Sequence, residues 1–429
     1  MKRLVTLALA ALAGVCAAPA SATDFSWSGF GTVGVAVSDR DYRYQRFIDR
    51  DGTAKRDTVF GAQLDARFSP QWSATVQATL APAINSDSRW AVTPSWAFVA
   101  WRPDDDWLLR LGKMRVPLYL YSQTMDLGQT HDMARLPIEM YSITPTSDFT
   151  GINVSRSWPT STGELTLDAY HGIASTSARY WTRDGVAPVI APGQRYVDVD
   201  VRASGLVATL REPDRLMRLG VHAVRTSQTH GGQLPVTYPR VELAPGLGYY
   251  QVNNAIPGPG APTVGAIHNI IVTAGAEQAF GDGWRITGEF ARNFQRDTDF
   301  ASSTYGGYVA LFRQLDRFTP YVSLSELKAT HGPMNWYRRL TENPLPEQIP
   351  GATQINQAQR IAAEGIWVAD QRSIALGTSY ALTSNSKLKA EWLHTHVGAV
   401  SRLIDTPPGQ ASPRDTNLNV FSLNYSFVF

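Results

Sequence analysis

Residues 421–429 read FSLNYSFVF, and apolar and polar side chains take turns along them. Phe421, Leu423, Tyr425, Phe427 and Phe429 fall on one side; Ser422, Asn424, Ser426 and Val428 fall on the other. A period of two marks a strand whose faces meet different media. The pattern runs to the carboxylate, where most domains fray. Left open in water, such a strand would be an adhesive edge. The stretch therefore predicts a neighbouring strand that covers it.

The same alternation recurs along the chain. Phe60, Ala62, Leu64, Ala66 and Phe68 alternate with Gln63, Asp65 and Arg67, and Trp72, Ala74, Val76, Ala78 and Leu80 with Ser73, Thr75, Gln77 and Thr79. GWRITGEF (283–290) and KLKAEW (387–392) repeat it. Clusters of Pro, Gly, Asp and Ser at 69–71, 103–106, 159–163, 212–215, 281–283, 316–317 and 383–386 have the composition of tight hairpins. Eight longer segments lie between them: 39–56, 82–93, 114–147, 175–195, 227–264, 295–301, 328–365 and 398–414. Seven short turns and eight long loops require sixteen strands with both ends on the short-turn side. Clean apolar faces ending in Trp, Tyr or Phe suit a lipid-facing wall with aromatic rims. The fold expected is all-β, a transmembrane antiparallel β-barrel of sixteen strands. In hydrocarbon no sheet edge can stay unpaired, so 421–429 is expected to pair with the first strand, SWSGFGTVGVAV (26–37).

The first residues agree with an exported chain. Lys2 and Arg3 precede the apolar LVTLALAALAGV, and Ala20-Ser21-Ala22 offers a cleavage site. Residues 1–22 read as a secretory signal peptide, and 23–429 as the barrel. The one cysteine, Cys16, lies in that leader, which leaves no disulfide or thiolate metal site in the remainder. Residues 23–429 carry 37 basic and 37 acidic side chains. That balance gives no reason to expect nucleic acid as a partner.

Sixteen strands enclose a lumen wide enough for water. Alternation assigns to its wall Asp65, Arg67, Arg110, Arg285 and Glu289, with Asp168, Asp198, Asp200, Arg202, Arg218, Glu277, Lys387, Lys389 and Glu391. The third long loop, after the fifth strand, is too apolar to stand in water. Leu118, Tyr119, Leu120, Tyr121, Met133 and Met140 need burial. Folding back into the lumen would bury them and set Asp126, Asp132 and Glu139 against Lys113, Arg115 and Arg135. Opposed charges across a constriction filter solutes by size and dipole.

The leader, the terminal Phe429, the position of this loop and the Gly112-Lys113…Pro117 segment resemble the Gram-negative outer-membrane porins. The resemblance implies a homotrimer whose third loop narrows each pore, and a role for Phe429 as a signal to the barrel-assembly machinery. Membrane lipid and lipopolysaccharide would surround it. A PEFGG-like loop motif and a lysine ladder are absent, so no phosphate specificity carries over. The expected function is passive diffusion of small hydrophilic solutes and ions across the outer membrane. The alternatives are a selective channel for small organic acids or aromatics, and a structural or adhesive barrel with a blocked lumen.

Enzyme readings find little support. No G-x-S-x-G, H-E-x-x-H or phosphate loop occurs. His394 and His396 share a strand face but lack a third ligand in sequence. No catalytic, metal or cofactor residue is assigned.

Overall fold

The computed structural model describes residues 23–301 and 303–429. The expected leader, 1–22, lies outside the described residues. Sixteen antiparallel strands close a barrel: β1 Asp24–Ser38, β2 Val59–Arg67, β3 Trp72–Pro82, β4 Trp90–Trp101, β5 Trp107–Arg115, β6 Asp148–Pro159, β7 Glu164–Thr182, β8 Gly193–Arg211, β9 Arg215–Gln228, β10 Ile267–Phe280, β11 Trp284–Gln295, β12 Thr304–Arg313, β13 Phe318–Ala329, β14 Ala369–Thr383, β15 Ser386–Ser401 and β16 Thr416–Val428. Each strand pairs with its sequence neighbours, and β1 pairs with β16.

The quoted stretch closes the ring. Val33 faces Tyr425 and Val35 faces Leu423, and the exchange continues to Gly29 and Phe429, whose backbones bond each other in both directions at 2.9 Å. Phe421, Leu423 and Tyr425 are 55%, 53% and 39% exposed, whereas Ser422, Asn424 and Ser426 are buried. Phe25, Trp27, Trp72, Trp101, Phe280, Trp284, Phe318 and Phe429 are all exposed, and all lie at the short-turn end. They form one aromatic rim of a lipid-facing band. No helix among the described residues is long and apolar enough to cross a membrane; strands do the crossing.

All seven short turns fall where their composition placed them, and the long connections alternate with them. The fourth connection is shorter than expected, because β7 runs to Thr182 and β8 begins at Gly193. Its Ser, Thr and Arg looked like loop, but they extend the barrel hairpin into a two-stranded ribbon that packs on neighbouring connections through Arg179, Trp181 and Tyr196. One connection expected to be irregular, 328–365, contains two helices, α1 His331–Glu342 and α2 Ala352–Gly365. Pro333 in the first turn of α1 removes no needed donor, and Met334, Trp336 and Leu340 make its buried side. That side packs with Tyr238 and Phe300 from neighbouring connections, Ala363 of α2 and Val400 of β15, giving the loop end of the barrel its own small core.

Asp198, Asp200 and Arg202 do not face the lumen. Arg202 is in register with Arg225 and Ile173, on the face of the exposed Leu206 and Val221. The lumen side of β8 carries Val199, Val201, Ala203 and Val207, all buried. Alternation there is inverted, because the inner wall is covered by packed side chains rather than wetted.

Candidate functional site

Three residues before its end β5 passes through Gly112, which sits at φ +136°. A Cβ there would collide with the Ala97 carbonyl, so the strand requires glycine at this position. Residues 116–147 then pack their apolar side chains, Leu118, Tyr119, Met133, Met140 and Ile143, with Phe149 of β6, Tyr170 of β7 and Tyr308 of β12. The Tyr119 and Tyr141 rings lie 4.8 Å apart.

The polar groups of this segment bond to the barrel wall far from β5. Glu289 of β11 accepts from the Leu120 amide (2.7 Å), the Tyr141 hydroxyl (2.6 Å) and the Tyr308 hydroxyl (2.9 Å). Asp132 accepts from Arg285 of β11 (2.5 Å), Lys387 of β15 (2.8 Å) and Ser379 of β14 (2.9 Å). Lys389 donates to the Gly128 and Met133 carbonyls at 2.5 and 3.1 Å. Glu139 accepts from Gln371 (2.7 Å) and Ser373 (2.5 Å) of β14. Arg135 forks onto Asp57 at 2.8 and 2.6 Å, with both side chains nearly buried. At Gly306 a Cβ would run into the Glu139 carbonyl, so the segment lies directly against β12.

Of the six charges expected to oppose one another, only Arg115 and Asp126 form a pair within the segment. Lys113 bonds Asp148 at 2.7 Å and in register shares the face of Leu109 and Leu111. Asp132, Arg135 and Glu139 bond to the wall or to Asp57. On the opposite wall Arg110 donates to Asn153 at 2.8 Å and lies 3.9 Å from Asp168. Arg110, Arg115, Trp96, Phe98 and Gln123 surround a gap of about 10 Å³, roughly one water. Asp65 accepts from Gln63 and Thr75; Arg67 stands exposed at the short-turn end of β2. Asp57, Trp96, Phe98 and the Tyr141 and Tyr308 hydroxyls were not foreseen. Arg135 and Asp57 are 78 residues apart, and no local periodicity links them.

Electrostatics favour the seated segment. Burial raises the Asp132 carboxyl, but Lys387 and Arg285 outweigh it and hold it below the ordinary 3.8. Burial likewise raises Asp57, and Arg135 brings it below 3.8. Burial pushes the His131 imidazole down to about 4, so it stays neutral at pH 7. The segment thus meets the wall as fixed charges with partners.

No protein-family model and no curated protein matches the chain. Solved structures do. OprB of Pseudomonas putida at high pH aligns with a TM-score of 0.52 at 9% identity, over 95% of this chain and 94% of that one. OmpT of Vibrio cholerae, folded in vitro and in its trimer form, aligns at 0.51 and 10% identity over 95% and 100%. The same protein expressed in the outer membrane aligns at 0.50 and 10% identity over 96% and 99%. The fold shared with them is the closed antiparallel barrel. At this identity the likeness is one of architecture, and the barrel of this chain owes its interior to its own residues.

Proposed function

We propose that the chain forms a passive diffusion channel in the outer membrane of a Gram-negative bacterium, for small hydrophilic solutes and ions. The observation that carries this reading is the seating of residues 116–147. They leave β5 and bond to β10–β16 on the other side of the ring. A segment so held crosses the lumen and narrows it, leaving Arg110, Arg115, Asp126 and the Gln63–Asp65 wall beside the remaining passage. Water and ions then meet charges of both signs, which suits a size filter more than a single-sign filter.

Export on residues 1–22 and assembly as a homotrimer belong to the same reading. On the outer face of β2–β3, Ala62 faces Ala78 and Ala66 faces Ala74, around Leu64 and Val76. Small side chains make a flat wall that suits a second copy better than loose lipid tails. Phe429 would serve the assembly machinery as an exposed aromatic on the closing strand.

Single-channel recording in a planar bilayer tests the proposal. Wild-type protein should insert as stepwise conductances, and deletion of residues 120–138 should enlarge each step. Absence of steps would sink the channel; unchanged steps would remove the segment from the constriction.

A further inference from the structure

The loop end holds a cavity that the channel reading leaves unused. It has a volume of about 390 Å³ and lies between α1, α2, the tip of the β7–β8 ribbon and the connection 402–415. Volumes of this order accept a small organic molecule. Trp181, Tyr337, Leu340, Val400 and Ile404 supply apolar lining, and five arginines against two glutamates border it.

The state of its donors points to the ligand. The Gln359 side chain is 1% exposed, and its Oε1 accepts from the Tyr250 amide at 2.7 Å. Its Nε2 is buried on the cavity with no hydrogen-bond partner. Arg360 donates through Nη2 to the Gly185 carbonyl at 3.0 Å, yet its Nε is likewise buried and unbonded, 3.7 Å from Asp184. The Arg360 Nε thus has the Asp184 carboxylate beside it, whereas Gln359 Nε2 is a buried donor without an acceptor, which is costly in isolation. Three of the other arginines are occupied. Arg183 pairs with Asp184 and Arg414 with Glu342. Arg402 caps the end of α2 through the Ala363 and Ile366 carbonyls. The Arg338 guanidinium has no partner among the described residues and stands on the rim. What is missing is therefore acceptor oxygen, with positive charge beside it and aromatic rings behind it.

We infer that this cavity is a binding site for an aromatic carboxylate at the outer mouth of the channel. The carboxylate oxygens accept from Gln359 Nε2 while Arg338 closes over them, and the ring lies among Trp181 and Tyr337. Charge-assisted bonds to a planar carboxylate make arginine the suited residue. The site would concentrate organic anions at the entrance, so the inference rests on the channel reading, in which these connections face outward.

Calorimetry on the folded full-length protein in detergent, with benzoate as probe and benzamide as its neutral match, tests the site. Benzoate should bind at least about tenfold tighter than benzamide, because only the former brings a charge to the arginines. Arg338→Ala, on an exposed helix position, should weaken benzoate about tenfold while gel mobility and heat stability stay unchanged. Gln359→Glu keeps the acceptor for Tyr250 and should abolish benzoate binding by repulsion. Equal binding of the two probes, or undiminished binding by Arg338→Ala, overturns the site. Conductance in potassium chloride is recorded on the same preparation. Steps without benzoate binding defeat the site alone, and benzoate binding without steps defeats the channel alone.

Discussion

At the scale of single residues, buried charges hold the lumen segment and tight glycines hold the ring. Arg135 and Asp57 have side chains only 7% and 5% exposed. Removing one leaves the other charged and buried, a loss on the order of 3–5 kcal/mol. Arg135→Ala should accordingly lower the thermal midpoint seen by gel shift and make single-channel current noisier; a quiet, equally stable variant would show that the pair does not seat the segment. The pH response follows from the depressed Asp132 and Asp57 carboxyls. A carboxyl held below its ordinary value contributes stability that is present above 3.8 and lost as pH falls through the folded value. Conductance should stay constant from about pH 7 to about pH 5 and change only under stronger acid. A transition near neutrality would assign the gating to other groups. At the seam, a Cβ on Gly29 would enter the Phe429 ring, which also meets Trp27 edge-on at 5.7 Å. Gly29→Ala should slow folding into lipid vesicles, and Phe429→Ala in the same chain should restore much of the rate. Failure of that rescue would separate the glycine from the closing strand.

At the scale of elements, the strands were legible because each hairpin turn announces itself chemically. GDG at 281–283 and TSNS at 383–386 supply positive φ and side-chain caps that few other residues can. The long connections were readable as interruptions, but not in their internal structure. The β7–β8 ribbon shows why: its sequence is polar on both faces, and what steadies it is distant. Arg179 at its tip meets Asp87 and Asp405, from two other connections, and Tyr196 adds a bond to Asp87 at 2.7 Å. Arg179→Ala should free the ribbon. Hydrogen exchange over 176–196 should accelerate by at least about tenfold, the factor that accompanies roughly 1.4 kcal/mol of local opening. Unchanged protection would mean the ribbon stands by its own ladder.

At the scale of the whole molecule, the ring has two unlike halves inside and a flat sector outside. The inner faces of β11–β16 are covered by residues 116–147, while on β2–β3 the half-buried Gln63, Asp65 and Thr75 keep part of their polar surface, bonded to one another and to the buried Gln77. The passage is therefore expected off-centre, beside β2–β6. The outer sector around Leu64 and Val76, 48% and 52% exposed, is the expected contact between copies. Leu64→Arg places a charge there and should convert a trimer, by light scattering in detergent, into monomers. A wild-type monomer in the same measurement would remove the trimer from the proposal.

Period-two alternation and turn chemistry determined the strand count, the closing pair and the outward face, because those properties depend on neighbours two to four residues apart and on the medium. The sequence alone also showed that 116–147 needed burial, since its apolar content exceeds what water tolerates. Which charge meets which was decided by tertiary structure: a carboxylate takes the donor that the folded ring brings within 3 Å, and Asp57, Glu289 and Lys389 lie tens to hundreds of residues from their partners. The inverted face of β8 has the same origin. Alternation reports that two sides differ, and only the packing inside the barrel decides which of them is dry.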